Sequence, residues 1–238
     1  MLNISKEMLW ILLIITCISL NFVSYKKQYT VIYNKENYDN EKPNSNNPII
    51  VLLGDSIIDN INYTNDSVEN SLNKLNDKLN ILFLAKDNSK ISNIYEQLKN
   101  KKIINIKNTN IFLSVGGNNL LTMKEKNDDN VNLVFNEYKK LITYIQSNYS
   151  NVNIHLFNLY YPSNFLMKTY YPIIDKWNLL LEDFIEKQQQ NKKLNLIEIN
   201  QHCYLSDDFV NIIEPSGICS NKLASLIILH TVPQPTLD

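Results

Sequence analysis

The chain has 238 residues, 44% hydrophobic and 20% charged, with a formal net charge of −1. Binding to a phosphate backbone needs a strong basic excess, so this balance excludes nucleic acid as a partner. The length suits one domain with a sizeable core, preceded by a non-globular N-terminus.

Met8 to Val23 (MLWILLIITCISLNFV) is apolar, broken only by Thr16, Cys17, Ser19 and Asn21. About 20 apolar residues span a bilayer, so the run is slightly short for a membrane helix and long for a core helix. Lys6 beside Glu7 is a weak leading charge, and Phe22-Val23-Ser24-Tyr25 is a poor cleavage site. Residues 1–27 are therefore expected to be an uncleaved signal anchor, with a cleaved signal peptide and a soluble helix as the rival readings. The protein would then be a single-pass membrane-anchored or a secreted one. Lys26-Lys27 would draw its side of the run toward the cytoplasm, which leaves the orientation open. Residues 28–47 are polar and aperiodic, carry Pro43, and read as a linker.

From residue 48 the chain alternates. Ile49 to Leu53 is a continuous apolar run, the pattern of a strand buried on both faces. Val68, Leu72, Leu75 and Leu79 follow at helical spacing, with Asp66-x-x-Glu69 as the expected cap. Ile81–Ala85 is a second strand, and Ile91, Ile94, Tyr95 and Leu98 mark a second helix. Ile111–Val115 is a third strand, followed by a helix face of Val134, Tyr138, Leu141, Ile142 and Ile145. Val152–Leu159 is a fourth strand. Ile173, Ile174, Trp177, Leu180, Leu181 and Phe184 then form a wide helical stripe, read as core. Leu194–Ile199 gives a fifth strand and Leu223–Ile228 a last helix. The pattern predicts an α/β fold: a three-layer α/β/α, flavodoxin-like sandwich on a five-stranded parallel sheet. The domain is expected over residues 48–230, with 231–238 as a tail.

Four glycines occur in the whole chain. In so Asn-rich a sequence, ordinary turns use Asn, and glycine is kept where the backbone needs φ > 0 or a close approach. Gly54 precedes Asp55-Ser56 at the end of the first strand. Gly116-Gly117 precede Asn118 at the end of the third, and Gly217 follows Glu214-Pro215-Ser216. In parallel sheets functional groups gather at the carboxyl ends of strands, where these loops lie. Of the three cysteines, Cys17 lies in the apolar run, leaving Cys203 and Cys219 as a pair that an extracytoplasmic domain would allow to bridge. No ligand spacing supports a metal. Asn62, Asn65 and Asn148 begin sequons, which carry little weight in this composition.

Gly54-Asp55-Ser56 and Gly116-Gly117-Asn118, each after a buried strand, resemble the SGNH, or GDSL, family of esterases and acylhydrolases over about residues 48 to 229. The resemblance implies Ser56 as nucleophile, Asn118 as an oxyanion donor, and no metal or organic cofactor. Where the family's second block supplies a glycine N–H, this chain has Asn88, a residue that tolerates the left-handed region. The last block departs most. The family's Asp-x-x-His-Pro aligns with Asn211-Ile212-Ile213-Glu214-Pro215, so Asn replaces the acid and Glu the histidine. The total charge is unchanged, and a carboxylate base needs no second carboxylate beside it. The expectation is a Ser56–Glu214 dyad oriented by Asn211.

Asp208 is read as an exposed loop carboxylate. His202 is the alternative base, His155 a packed residue and His230 an exposed one. The implied substrate is a small acyl ester or an O-acylated glycan. An inactive binding protein and an O-acyltransferase are the competing functions. Tyr160, Tyr161, Phe165, Tyr170 and Tyr171 line a pocket or are packing. The sequence does not fix an oligomeric state.

Overall fold

The computed structural model describes residues 48–75, 79–99, 108–188 and 193–231. The apolar run, the linker, Cys17 and the tail from Val232 onward fall outside them. Among the described residues no helix is long and apolar enough to cross a membrane.

Five strands, β1 (Ile49–Gly54), β2 (Asn80–Phe83), β3 (Thr109–Ser114), β4 (Val152–Phe157) and β5 (Leu194–Ile197), form one parallel sheet in the order β2-β1-β3-β4-β5. β1 and β3 lie inside the sheet and every residue of both is buried. The edge strands β2 and β5 are only partly buried. Burial on both faces is what gives β1 its unbroken apolar run.

The helices are α1 (Val68–Leu75), α2 (Ile91–Leu98), the short α3 (Gly117–Leu121), α4 (Asp128–Asn148), α5 (Tyr171–Glu186) and α6 (Gly217–Thr231). α1 packs with α6, while α2 and α5 both pack with α4. Right-handed crossovers require this division, because the chain first steps to β2 and then reverses toward β5. The three-layer arrangement expected from the sequence is present. The reversal sets a switch point between β1 and β3, where open α/β sheets hold their ligands.

Local details differ from the expectation. Ser67, not Asp66, caps α1: its hydroxyl accepts from the Asn70 N–H at 3.2 Å, while Asp66 pairs with Lys74. Leu79 stands at the entry to β2. On α4, Phe135 rather than Val134 is the buried neighbour of Tyr138. Phe135 and Tyr138 meet the Trp177 ring of α5 edge-on, with centroids 5.1 and 5.2 Å away. Two-residue strands β6 (Phe209–Val210) and β7 (Glu214–Pro215) form a separate antiparallel hairpin that the sequence reading did not contain.

Cys203 and Cys219 are joined by a disulfide across a separation of 16 residues. It ties the loop carrying this hairpin to the start of α6. Closing a loop of this length stabilises by about 3 kcal/mol. The double variant Cys203→Ser/Cys219→Ser is expected to melt roughly 5–10 °C lower by circular dichroism. An unchanged melting temperature would show that the bond does not brace the fold.

Candidate active site

The site begins at the end of β1. Gly54 has φ 147°, and a Cβ there would lie 2.2 Å from the Ser114 carbonyl oxygen of β3, so no other residue fits. Its N–H donates to Gln97 Oε1 at 3.0 Å, and its carbonyl accepts from Gln97 Nε2 at 2.8 Å. Lys86 N–H donates to the same carbonyl at 3.0 Å, and Asp55 N–H donates to Ser114 O at 3.0 Å. The backbone then enters a helical turn in which Ile58 and Asp59 donate to Asp55 O. Ser56 is the first residue inside that turn, 8% exposed. Among the described residues its own N–H meets no acceptor.

Asn118 lies at the start of α3. Gly116 before it has φ 125°, and a Cβ there would come within 2.5 Å of the Trp177 ring. Asn118 Nδ2 donates to Ser89 O at 3.1 Å, which fastens the third-strand loop to the turn after β2. Asn88 occupies that turn with φ 61°, as expected for a residue standing in for glycine. Its side chain is exposed and is not part of the pocket wall. Asn119 Oδ1 accepts from the Ile91 N–H at 3.1 Å and serves the start of α2.

Glu214 opens β7. Asn60, fully buried, donates from Nδ2 to Pro215 O at 3.1 Å and to Ser220 Oγ at 2.6 Å, and its Oδ1 accepts from the Val68 N–H at 3.0 Å. One carboxamide thus holds the Glu214 strand against α1, α6 and the Ser56 loop. Sequence reasoning missed Asn60 and Gln97, since neither sits in a motif.

Two expectations are corrected. Asn211 is exposed at the hairpin turn with φ 55° and makes no hydrogen bond to Glu214 among the described residues. The three-residue turn needs a left-handed residue, and Asn fills that need. Asp208 is buried, not exposed. It accepts from Lys222 Nζ at 2.6 Å and from the Tyr204 and Leu205 N–H groups at 2.9 Å. Burial alone would raise its proton affinity, but the ammonium and the two N–H groups outweigh it and hold the carboxyl below its usual range.

The Ser56 side chain lies beside the Glu214 carboxylate in the pocket wall and favours its ionised form, while Glu214 Oε2 is buried without a hydrogen-bond partner. Burial, with Asp87 adding to it, raises the proton affinity of Glu214 against the lowering effect of Ser56. Asp55, 2% exposed, accepts from the Ile57 N–H at 3.2 Å. Burial first, opposed by that bond and reinforced by Glu214, pushes its pKa up to about 7.

Ser56, Asn118 and Glu214 share one pocket with Asp55. The remaining wall is mostly apolar, from Leu120 of α3, Leu159, Tyr160 and Met167 after β4, and Ile173 and Ile174 of α5. Of the tyrosine-rich stretch, Tyr160 and Tyr170 line it. Tyr161 and Tyr171 are spent on hydrogen bonds to Asp175 and Pro162 O, and Phe165 is 73% exposed. No histidine is in the wall. His202 is exposed; its carbonyl accepts from Lys222 Nζ and its N–H donates to Ile199 O. His155 is packed on Phe112 with centroids 4.5 Å apart, and burial, with His230 nearby, pushes its pKa down to about 4. Among the described residues no group of side chains is arranged to hold a metal.

No family model matches the chain, and no curated protein matches it in sequence. Solved structures do resemble it. A GDSL-like lipase from Bacteroides thetaiotaomicron superposes with TM-score 0.63 at 14% identity, covering 84% of this chain and 95% of that one. A member of the lipolytic G-D-S-L family from Veillonella parvula gives 0.59 at 14% identity, covering 76% and 96%. Phospholipase A1 from Streptomyces albidoflavus gives 0.55 at 14% identity, covering 78% and 100%. The chain therefore has the fold of the G-D-S-L lipolytic proteins.

The proton held by Asp55 has a consequence for stability. An unfolded aspartate releases its proton near 3.8, whereas the folded one keeps it to about 7. The stabilisation is complete below the first value and is lost as pH rises through the second. Asp55→Asn is expected to lose roughly 2–4 kcal/mol less than the parent between about pH 4 and about pH 8 in urea unfolding. Equal losses in both proteins would place the proton elsewhere.

Proposed function

We propose that this protein is a serine hydrolase of the SGNH/GDSL type that cleaves a carboxylic O-acyl ester through an acyl-enzyme. The observation that carries the reading is that the Ser56 hydroxyl and the half-buried Glu214 carboxylate, whose proton affinity is raised, line one mostly apolar pocket. A carboxylate is a weak base in water; burial moves it toward the pKa that general-base catalysis near neutrality requires.

In this reading Ser56 Oγ attacks the ester carbonyl and its proton passes to Glu214. The negative oxygen of the tetrahedral intermediate is received by the Ser56 N–H and by the Asn118 amide hydrogen not used on Ser89. Collapse expels the alcohol, which takes the proton back from Glu214. Water then attacks the acyl-enzyme with the same base. Asn88 contributes through its turn, which anchors Asn118 by way of Ser89, rather than through its side chain. Asn211 contributes the hairpin turn that presents Glu214.

The apolar wall supports an acyl chain as the group bound beside Ser56. The phospholipase among the similar structures fits an acylated substrate of this kind. The disulfide supports an extracytoplasmic domain, for which residues 1–27 would serve as anchor or leader.

A fluorophosphonate probe is expected to label the parent protein and leave Ser56→Ala unlabelled. Glu214→Gln is expected to lower hydrolysis of a short p-nitrophenyl ester at least about a hundredfold. Equal labelling of Ser56→Ala would remove Ser56 from the mechanism, and a retained rate in Glu214→Gln would remove the base.

A further inference from the structure

Glu214 is held from two directions. Behind it, Asn60 Nδ2 donates to Pro215 O at 3.1 Å, the Ser216 N–H donates to Asp208 O at 2.8 Å, and the disulfide fixes Cys219. All of these act on residues that follow Glu214. Ahead of it lies the hairpin turn, where Asn211 and Ile212 are exposed and Ile213 is half-buried. Among the described residues a single side chain from outside the hairpin bonds this turn. Tyr160 Oη donates to Ile213 O at 2.7 Å.

Tyr160 is built into its place. Its side chain is buried and meets the Phe209 ring edge-on, with centroids 5.0 Å apart. Phe209 pairs with Pro215, and Val210 with Glu214, across the hairpin. Tyr160 therefore touches both strands, β6 through the ring and the entry to β7 through the hydroxyl. Its own backbone is fixed through Leu159, whose N–H donates to Asn178 Oδ1 and whose carbonyl accepts from Asn178 Nδ2, both at 2.8 Å. Burial, with Glu214 and Asp55 adding to it, holds the phenol protonated well above its usual range, so the hydroxyl stays a donor. Tyr160 also lines the pocket together with Ile213, Glu214 and Ser56.

We propose that Tyr160 is a positioning residue for the base, anchoring the turn that presents Glu214 to the wall of the pocket. This rests on Glu214 being the general base. Without the hydroxyl, the Ile213 carbonyl must find its partner in water, and the turn carries Glu214 away from Ser56 as it does so. The phenol exchanges no proton with the substrate. Its contribution is the placement of the carboxylate.

The test is hydrolysis of a short p-nitrophenyl ester by the full chain, with kcat and KM measured separately. Tyr160→Phe keeps the ring in the wall and against Phe209 and removes only the donor. Its kcat is expected to fall roughly three- to tenfold, the scale of one such bond, with KM changed by less than about twofold. Phe209→Leu loosens the same clamp from a residue outside the pocket wall. It is expected to lower kcat about two- to fivefold, again with KM unchanged. Beside Glu214→Gln, Tyr160→Phe should cost nothing further, because the group it positions is gone. An unchanged kcat in both single variants, with Glu214→Gln strongly impaired, would overturn the role of Tyr160 and leave the base in place. A loss that persists in full beside Glu214→Gln would overturn it as well, since Tyr160 would then act elsewhere. A parent that hydrolyses no such ester, or a parent rate retained in Glu214→Gln, would remove the base and the proposal with it.

Discussion

The arrangement depends on how β1 ends. Gly54 is pressed against Ser114 so closely that a single methyl group would collide with the carbonyl of the neighbouring strand. Its N–H and carbonyl are both taken by the Gln97 carboxamide, which continues the sheet where β2 has stopped pairing. A buried strand end with free backbone groups would be costly and mobile. Here the Gly54 N–H and carbonyl and the Asp55 N–H are all paired, so the turn bearing Ser56 leaves the sheet in one direction. The place of Ser56 in the pocket wall follows from that.

The same device recurs around the rim. Asn178 of α5 bonds both the N–H and the carbonyl of Leu159 at 2.8 Å, closing the end of β4 as Gln97 closes the end of β1. Asn158 exchanges two hydrogen bonds with Asn200, and Asn60 holds Pro215. In each case a side-chain amide, with N–H donors and a carbonyl acceptor in one plane, substitutes for a missing stretch of strand. The chain uses few glycines and many carboxamides, and it builds its rigid loops from what it has.

That economy explains how much of the structure is legible in the sequence. The doubly buried strands β1 and β3 announce themselves as apolar runs, and their GDS and GGN endings mark the switch point. The Glu214 hairpin has strands of two residues, too short to carry a period, so only Pro215 hinted at its place. Gln97, Asn60 and Asn178 were invisible because their partners are fixed by tertiary distance in a chain full of similar residues. Asn211 was misjudged for a related reason. The family's Asp-x-x-His spacing placed it beside Glu214, but on this hairpin the intervening turn sends Asn211 outward.

Glu214 in place of a histidine changes what the site must supply. An imidazole gains charge when it accepts the serine proton, so it benefits from a carboxylate beside it. A glutamate loses charge on the same step, so it benefits from surroundings that disfavour its anion. Burial, a neighbouring Asp87 and a wall of apolar side chains all act in that direction. The cost appears in Asp55, whose carboxyl is forced to hold a proton far above its ordinary range by the same environment. An Asp at position 211 reaching the site would have pushed Glu214 further the same way. The hairpin instead turns that residue to solvent, and the neighbouring carboxylate that acts on Glu214 is Asp87, oriented by Tyr63 and Asp59. Proton affinity in this pocket is therefore set first by burial, with Asp87 at the end of β2 adding to it.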